Sequence, residues 1–250
     1  MITRTLKRWL RTCTSVPQGN RIGGARFIKI SFLLLLQTAS NSYAAALPAP
    51  TGRFTFEGNP YIGTASTTNT AITNNSLYLN GIYFTQFGKP SEAVFKPTVF
   101  DYRRFTVVVK LRPENSCEKT LIAGGTSCRW LVLRTDKQGR AELSFNNLEL
   151  RHPVEGLTVT NGQWITLALV FDLQSRRAVV YADGNRVDEV ILPKDFDLAV
   201  INDTRWRESD KVLTFTDYSN GNTFEGLVAG IITFDTNLSA DQVRRLFPKH

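Results

Sequence analysis

The sequence predicts an all-β domain, a sandwich or barrel of about ten short strands with one short C-terminal helix. Short apolar segments recur from residue 52 onward, separated by turn chemistry such as Asn80-Gly81, "DKQG" (136–139) and Asp183-Gly184. The segment "NGQWITLALVFD" (161–172) has almost no polar side, so its strand must be covered on both faces. Helical spacing is confined to "LSADQVRRLF" near the C-terminus.

The chain divides into a leader at 1–44, a Pro-containing link at 45–50 and one domain at 51–250. The leader reads as an export signal. Its basic region ends at Lys29, the apolar run "ISFLLLLQTA" follows, and Ser42 and Ala44 sit at cleavage spacing. The apolar run is about half the roughly 20 residues that cross a bilayer, which argues against a stable membrane anchor after cleavage. The Arg-rich "TLKRWLRT" also fits a transit peptide, but the Leu-rich block beside small residues favours export. The implied location is secreted, periplasmic or extracellular.

In the domain, "RFTFEG" alternates at Phe54 and Phe56, and "SLYLNGIYF" carries a hairpin signal at Asn80-Gly81. Residues 105–111 put Phe105, Val107, Val109 and Leu111 on one face. "WLVLRT" and "AELSFN" flank "DKQG"; residues 165–171, 177–182, 186–192, 211–216 and 226–234 complete the strands. In the terminal segment Ser239 and Gln242 form a capping box, and Val243, Leu246 and Phe247 share a face. That helix is expected to dock against the rim. The apolar strand 165–171 is expected to lie under a loop, a helix or a ligand groove.

Composition narrows the function. Hydrophobic residues are 42% and charged residues 21% of the chain, which is ordinary for a globular protein. Seven of the 30 basic residues precede residue 47, where no acid occurs, so the remaining 23 face 22 acids. A domain this balanced has no electrostatic reason to seek nucleic acid. Cys13 belongs to the leader. In an oxidising compartment Cys117 and Cys128 are then expected to pair as a disulfide closing a hairpin-sized loop.

The segments "RRFTVVVKLRP", "TLIAGG" and "RWLVLRTDKQGRAELSF" resemble successive strands of the concanavalin A-like jelly rolls, in the laminin G and pentraxin-like branch. The resemblance runs over roughly 51 to 247. Its most specific parts are Gly162 and Trp164, then Tyr181, Asp183 and Gly184, and the closing Phe224, Gly226, Leu227, Leu238, Ser239 and Val243. It implies a two-sheet antiparallel jelly-roll sandwich, a fold that hosts lectins, adhesion modules, hydrolases and lyases alike. Relatives place an acidic calcium ligand where this chain has Ala229, which weakens a structural calcium here and implies no cofactor. On the residues themselves, Trp164 and Trp130 are expected in the core, and Asp183-Gly184 is expected to be a turn pair.

Catalysis is not expected. The glucanase branch aims alternate carboxylates at one bond, but Glu208-Ser209-Asp210 is followed by Lys211, Val212 and Leu213. His152, beside Pro153, is expected in a loop without a triad. The leading expectation is recognition of a glycan or glycoprotein through rim loops. The richest loop is "INDTRWRESD" (201–210), where Trp206 can stack on a sugar while Asn202, Asp203, Arg205 and Arg207 bond hydroxyls or clamp a carboxylate. Trp206 also fits a role in covering the apolar strand, with the flanking arginines solvated. Tyr218, Asn220 and Asn222 form a second candidate loop, in a segment (217–225) read as a hairpin turn. The alternative is adhesion to another extracellular protein, for which the Thr/Asn-rich loop at 58–76 is suited.

Overall fold

The computed structural model describes residues 46–56, 62–82, 92–115, 118–126, 129–202, 210–217 and 222–246, all within a unit spanning Ala46–His250. The leader and its cleavage region lie outside the described residues. Five strands come first: β1 (Gly52–Thr55), β2 (Thr64–Thr68), β3 (Ala71–Thr73), β4 (Ser76–Asn80) and β5 (Glu92–Lys96). The central block is β6 (Arg104–Pro113), β7 (Lys119–Gly124), β8 (Leu131–Thr135), β9 (Arg140–Phe145) and β10 (Leu150–Thr158). Then come β11 (Ile165–Asp172), β12 (Arg177–Ala182), β13 (Asn185–Ile191) and the one-turn α1 (Ala199–Asn202). The short strands β14 (Leu213–Thr214), β15 (Thr216–Asp217) and β16 (Asn222–Thr223) precede β17 (Glu225–Phe234) and α2 (Ala240–Leu246).

An eight-stranded antiparallel sheet runs β13-β12-β11-β6-β17-β4-β3, with β1 paired to β17. A seven-stranded antiparallel sheet runs β10-β9-β8-β7-β14-β5-β2, and β15 with β16 forms a small hairpin. The sandwich and its short C-terminal helix match the expectation. So does the hairpin read at 217–225, and "DKQG" joins β8 to β9 with Gly139 at φ 78°.

The apolar strand is β11, paired to β6 from Ile165↔Leu111 to Asp172↔Arg104 and to β12 on its other side. Leu167, Leu169 and Phe171 enter the main core with Phe105, Val107, Val109 and Leu111. Ala168 and Val170 face the opposite way. With Val108, Tyr181, Ile232 and Phe234 they form a second apolar cluster, closed by Leu238 and by Val243 of α2. Two-sided burial thus has two different causes, the facing sheet inside and a helix outside.

The helix lies over the outer face of the eight-stranded sheet, not at the rim. Buried Thr106 explains the course of the chain: its Oγ1 donates to Thr236 O at 2.7 Å and accepts from Leu238 N at 3.1 Å. That pins the turn after β17 against β6. Ser239 and Gln242 then form the reciprocal capping box, at 2.9 and 3.3 Å. The Asp183-Gly184 turn seats the helix. Asp183 Oδ1 accepts Thr166 N–H at 3.0 Å, and Arg244 Nε donates to Gly184 O at 3.2 Å. A Cβ on Gly184, at φ +77°, would fall 1.8 Å from Arg244 Cγ, so only glycine admits this approach.

Asp172, where the apolar run ends, ties the same assembly together. Its carboxylate accepts N–H bonds from Gln174 (2.9 Å) and Ser175 (3.2 Å), and the Asn237 amide at 2.8 Å. Burial pushes its carboxyl upward, but the bonds from Ser175, Asn237 and Gln174 together outweigh it and hold it below the usual range. A lowered native pKa stabilises above the unfolded value and is lost as pH falls through the native one. Asp172→Asn is therefore expected to lower Tm at neutral pH. Thermal melts should show the gap to the parent shrinking below about pH 4.

Several expectations change. His152 and Pro153 lie in β10, not in a loop; β10 is an edge strand, where proline is tolerated, and His152 Nε2 bonds Asp188 Oδ2 of β13 at 2.9 Å. Part of the 58–76 loop is strand, namely β2 and β3. Residues 211–216 split between β14 and β15. The second arm of the Asn80-Gly81 hairpin falls mostly outside the described residues. So do Cys117 and Cys128, and with them the expected disulfide. Among the described residues, no helix is long and apolar enough to cross a membrane.

Candidate functional site

The loop residues Asp203, Arg205, Trp206 and Arg207 lie outside the described residues, as do Tyr218 and Asn220. Asn202 ends α1 and Asn222 opens β16. The two ends of the 203–209 segment are nevertheless fixed. Asn146 holds the entry to α1, accepting from Ala199 N at 2.8 Å and donating to Asp197 O at 2.7 Å. At the other end Asp210 is buried. Its carbonyl accepts Trp130 Nε1 at 3.0 Å and its carboxylate accepts the Thr126 hydroxyl at 3.3 Å. The last acid of the broken Glu208-Ser209-Asp210 motif is therefore an anchor.

Trp130 is in the core as expected, but Trp164 is not: it is 40% exposed. The reason is register. Ile165 opposite Leu111 turns inward, so Trp164, one residue earlier, faces outward beside Arg112. Further along β11, Leu238 and Val243 close over the outward residues Ala168 and Val170; Trp164 lies beyond that cover. Lys110 Nζ and Arg112 Cζ stand 5.9 and 5.8 Å from its ring centroid, at cation–π range.

This row continues across the sheet as Arg112, Leu227, Tyr78 and Ala71. Tyr78 faces outward because Leu77 and Leu79 enter the core. Three strand steps, about 14 Å, separate its position from that of Trp164. Glu114 bonds Arg112 at 2.7 Å, and Asn115 Nδ2 bonds Glu225 at 2.8 Å. Burial, then Glu225 and Glu114, push the Tyr78 phenol upward, so it stays a neutral hydroxyl donor. Beyond Leu238 and Val243 the outer face thus carries Trp164, Arg112 and Tyr78 in one transverse row, with Lys110 two residues before Arg112 on β6 and Glu114, Asn115 and Glu225 beside the row.

A concavity lies on the other sheet. An open groove of about 610 Å³ runs along β8, β9 and β10, with Arg134, Glu142 and Thr135 among its walls. Among the described residues, no group of three or more His, Cys, Asp or Glu side chains is placed to hold a metal.

No protein-family model matches the chain, and no curated protein sequence matches it. Solved structures do. Trypanosoma rangeli sialidase aligns with a TM-score of 0.60 at 16% identity, over 81% of this chain and 33% of its own. A botulinum neurotoxin type C structure aligns at 0.58 and 10%, over 79% and 50%. The binding domain of botulinum neurotoxin DC in complex with rat synaptotagmin II gives 0.58 and 10%, over 79% and 51%. The fold is a two-sheet antiparallel β-sandwich, shared with these structures. Identities this low show fold alone, and the chain spans about a third of the sialidase and half of the toxin chains.

In this sandwich the residues that sequence reasoning missed are Trp164, Tyr78, Lys110 and Arg112. A usable signal existed in "VVVKLRP": Lys110 and Arg112 alternate with Val109 and Leu111, marking where one face of β6 turns from apolar to wet. Nothing in "QWITLALVF" says which parity faces inward, since both are apolar.

Proposed function

We propose that this jelly roll is a non-catalytic recognition module that acts outside the cytoplasm and binds glycan, with Trp164 as its stacking platform. One observation carries the reading: an exposed indole bracketed by Lys110 and Arg112, on a face whose other half α2 seals. An indole face stacks on the C–H surface of a pyranose, while ammonium, guanidinium and amide groups donate to hydroxyls. Tyr78 supplies a second contact along the row. The fold lends support, since a type C neurotoxin sharing it depends on interaction with two ganglioside molecules to get into cells. The basic-then-apolar leader supports export, and the motif around Trp164, Tyr181 and Asp183 supports the laminin G and pentraxin-like branch. The segment 201–210 with Trp206 remains the second locus of the proposed site.

The test is a glycan array probed with the purified chain, with and without a chelator, followed by titration of the best ligand. Trp164→Ala is expected to weaken binding at least tenfold, about 1.4 kcal/mol, while the melting transition moves little because the ring is half-exposed. Loss on Trp206→Ala alone would move the site to the rim loop. An array without any hit would end the glycan reading, and sialoside turnover abolished by replacing one carboxylate would end the non-catalytic one.

One observation favours a second reading, protein–protein assembly. The adjacent edge strands β2 and β3 are exposed and carry no charge, whereas the opposite edges carry Arg186 and Glu189 on β13 and Pro153 with a bulge on β10. Uncharged edges invite strand addition. A partner that soluble sugars cannot displace would favour it.

A further inference from the structure

The two flanks of the sandwich are finished differently. Where β10 and β13 end the sheets, His152 Nε2 and the Glu155 N–H both bond Asp188 Oδ2, at 2.9 and 2.8 Å, and join one sheet to the other. At the opposite flank β2 ends the seven-stranded sheet and β3 the eight-stranded one, with only Asn69 and Thr70 between them in the chain. Both strands are exposed. Ile72 pairs with core-facing Leu77 and shares its inward side, yet it is 65% exposed: the gap between the sheets is open here.

Parity sorts β2 in the same way. Ala65 and Thr67 pair with core-facing Phe95 and Ala93 and turn inward, while Thr64, Ser66 and Thr68 turn outward beside Lys96, Val94 and Glu92. An antiparallel partner strand must match inward to inward. For β2 laid against a second β2, that condition allows only registers in which one residue meets its own copy. Full overlap of the five residues selects Ser66 opposite Ser66. Thr64 then faces Thr68 of the second copy, and each Lys96 shares an outer row with the Glu92 of the other copy. Burial pushes the Glu92 carboxyl upward, and it has no hydrogen bond or ion pair among the described residues, so a cation brought into its row is a gain. On the inner side Ala65 meets Thr67 of the other copy, and the two open flanks abut, which takes Ile72 out of water.

We propose that this flank is an interface between two copies of the chain, with β2 carrying the seven-stranded sheet of one copy into that of the other. The proposal rests on the assembly reading, whose partner it names, and not on the glycan reading. The two-fold axis stands across the sheets, so the Trp164 faces of both copies point the same way and a ligand-bearing surface is met twice. A five-residue strand pair with one apolar contact is a small interface, so the dimer is weak and forms with rising concentration.

Sedimentation velocity of the purified chain over a wide concentration range tests it, and cross-linking reads the register. Ser66→Cys is expected to give a disulfide-linked dimer under mild oxidation, as is Thr64→Cys mixed with Thr68→Cys, whereas Thr68→Cys by itself is not; the parent chain controls for its own cysteines. Ser66→Lys sets like charges opposite each other on the axis and should weaken association at least tenfold, with Tm unchanged because Ser66 is exposed. Ile72→Thr should weaken it as well. A monomer at every concentration, or a dimer that ignores Ser66→Lys and does not cross-link through Ser66→Cys, overturns the inference. The peptide acetyl-Thr-Val-Thr-Val-Thr-amide separates that failure from failure of the assembly reading. A monomer that binds this peptide, and loses it on Ser66→Lys, has an edge that takes a strand from another protein; a monomer that does not bind it loses the assembly reading too.

Discussion

Replacing Trp130 by alanine is expected to destabilise the sandwich by about 3–5 kcal/mol, read as a fall in the denaturant midpoint at constant m-value. Among the described residues Trp130 is the largest fully buried side chain, and its ring lies against Gly124, where an added Cβ would meet it at 2.2 Å. Tyr102 and Phe105 meet it edge-on at 5.1 and 5.7 Å, and Phe100 lies 5.7 Å away. Two costs add. The cavity strands these aromatic neighbours, and Asp210 O loses the indole N–H that holds the end of the 203–209 segment. Trp130→Phe restores most of the volume but not the hydrogen bond, so it should recover only part of the loss. A drop below about 1 kcal/mol for the alanine variant would mean that this aromatic cluster repacks freely, contrary to the close packing described.

Val243→Asp should be nearly as damaging, by a different route. Val243 is buried against the second cluster, on the outer face of β6, β11, β12 and β17. A carboxylate there has no cation within the cluster, and desolvating it costs several kcal/mol. Undocking α2 avoids that cost but exposes Val108, Ala168, Val170, Ile232 and Phe234 together. A lower Tm with increased binding of a hydrophobic dye and little change in β-sheet circular dichroism is the expected signature. An unchanged Tm would show that the helix is not what seals this face. The outcome also bears on function, because the extent of α2 decides how much of the sheet remains open around Trp164.

The candidate site was only partly legible in advance. Trp206 stood out because an indole between two arginines in a polar segment is conspicuous in one dimension. Trp164 did not, because an aromatic at the head of an apolar strand looks like core. Its exposure depends on a one-residue phase, and a period-2 pattern with both phases apolar cannot set that phase. The groove was invisible for a similar reason. It arises from a bulge in β10 opposite Ala141, which the pattern of neither strand announces. His152 was misplaced because proline beside it suggested a loop, although an edge strand accommodates proline equally well.

Local chemistry by itself determined the all-β architecture, the "DKQG" and Asp183-Gly184 turns, the capping box at Ser239 and Gln242, and the need for cover on both sides of 165–171. Each of these rests on residues within a few positions of one another, where backbone preference and hydrophobic period are decisive. Only the tertiary structure decided what supplies the cover, which indole meets solvent and where the groove opens. Those outcomes depend on contacts such as Thr106 with Leu238 and Gly184 with Arg244, which join segments 60 or more positions apart. Side-chain period along one strand carries no information about such partners.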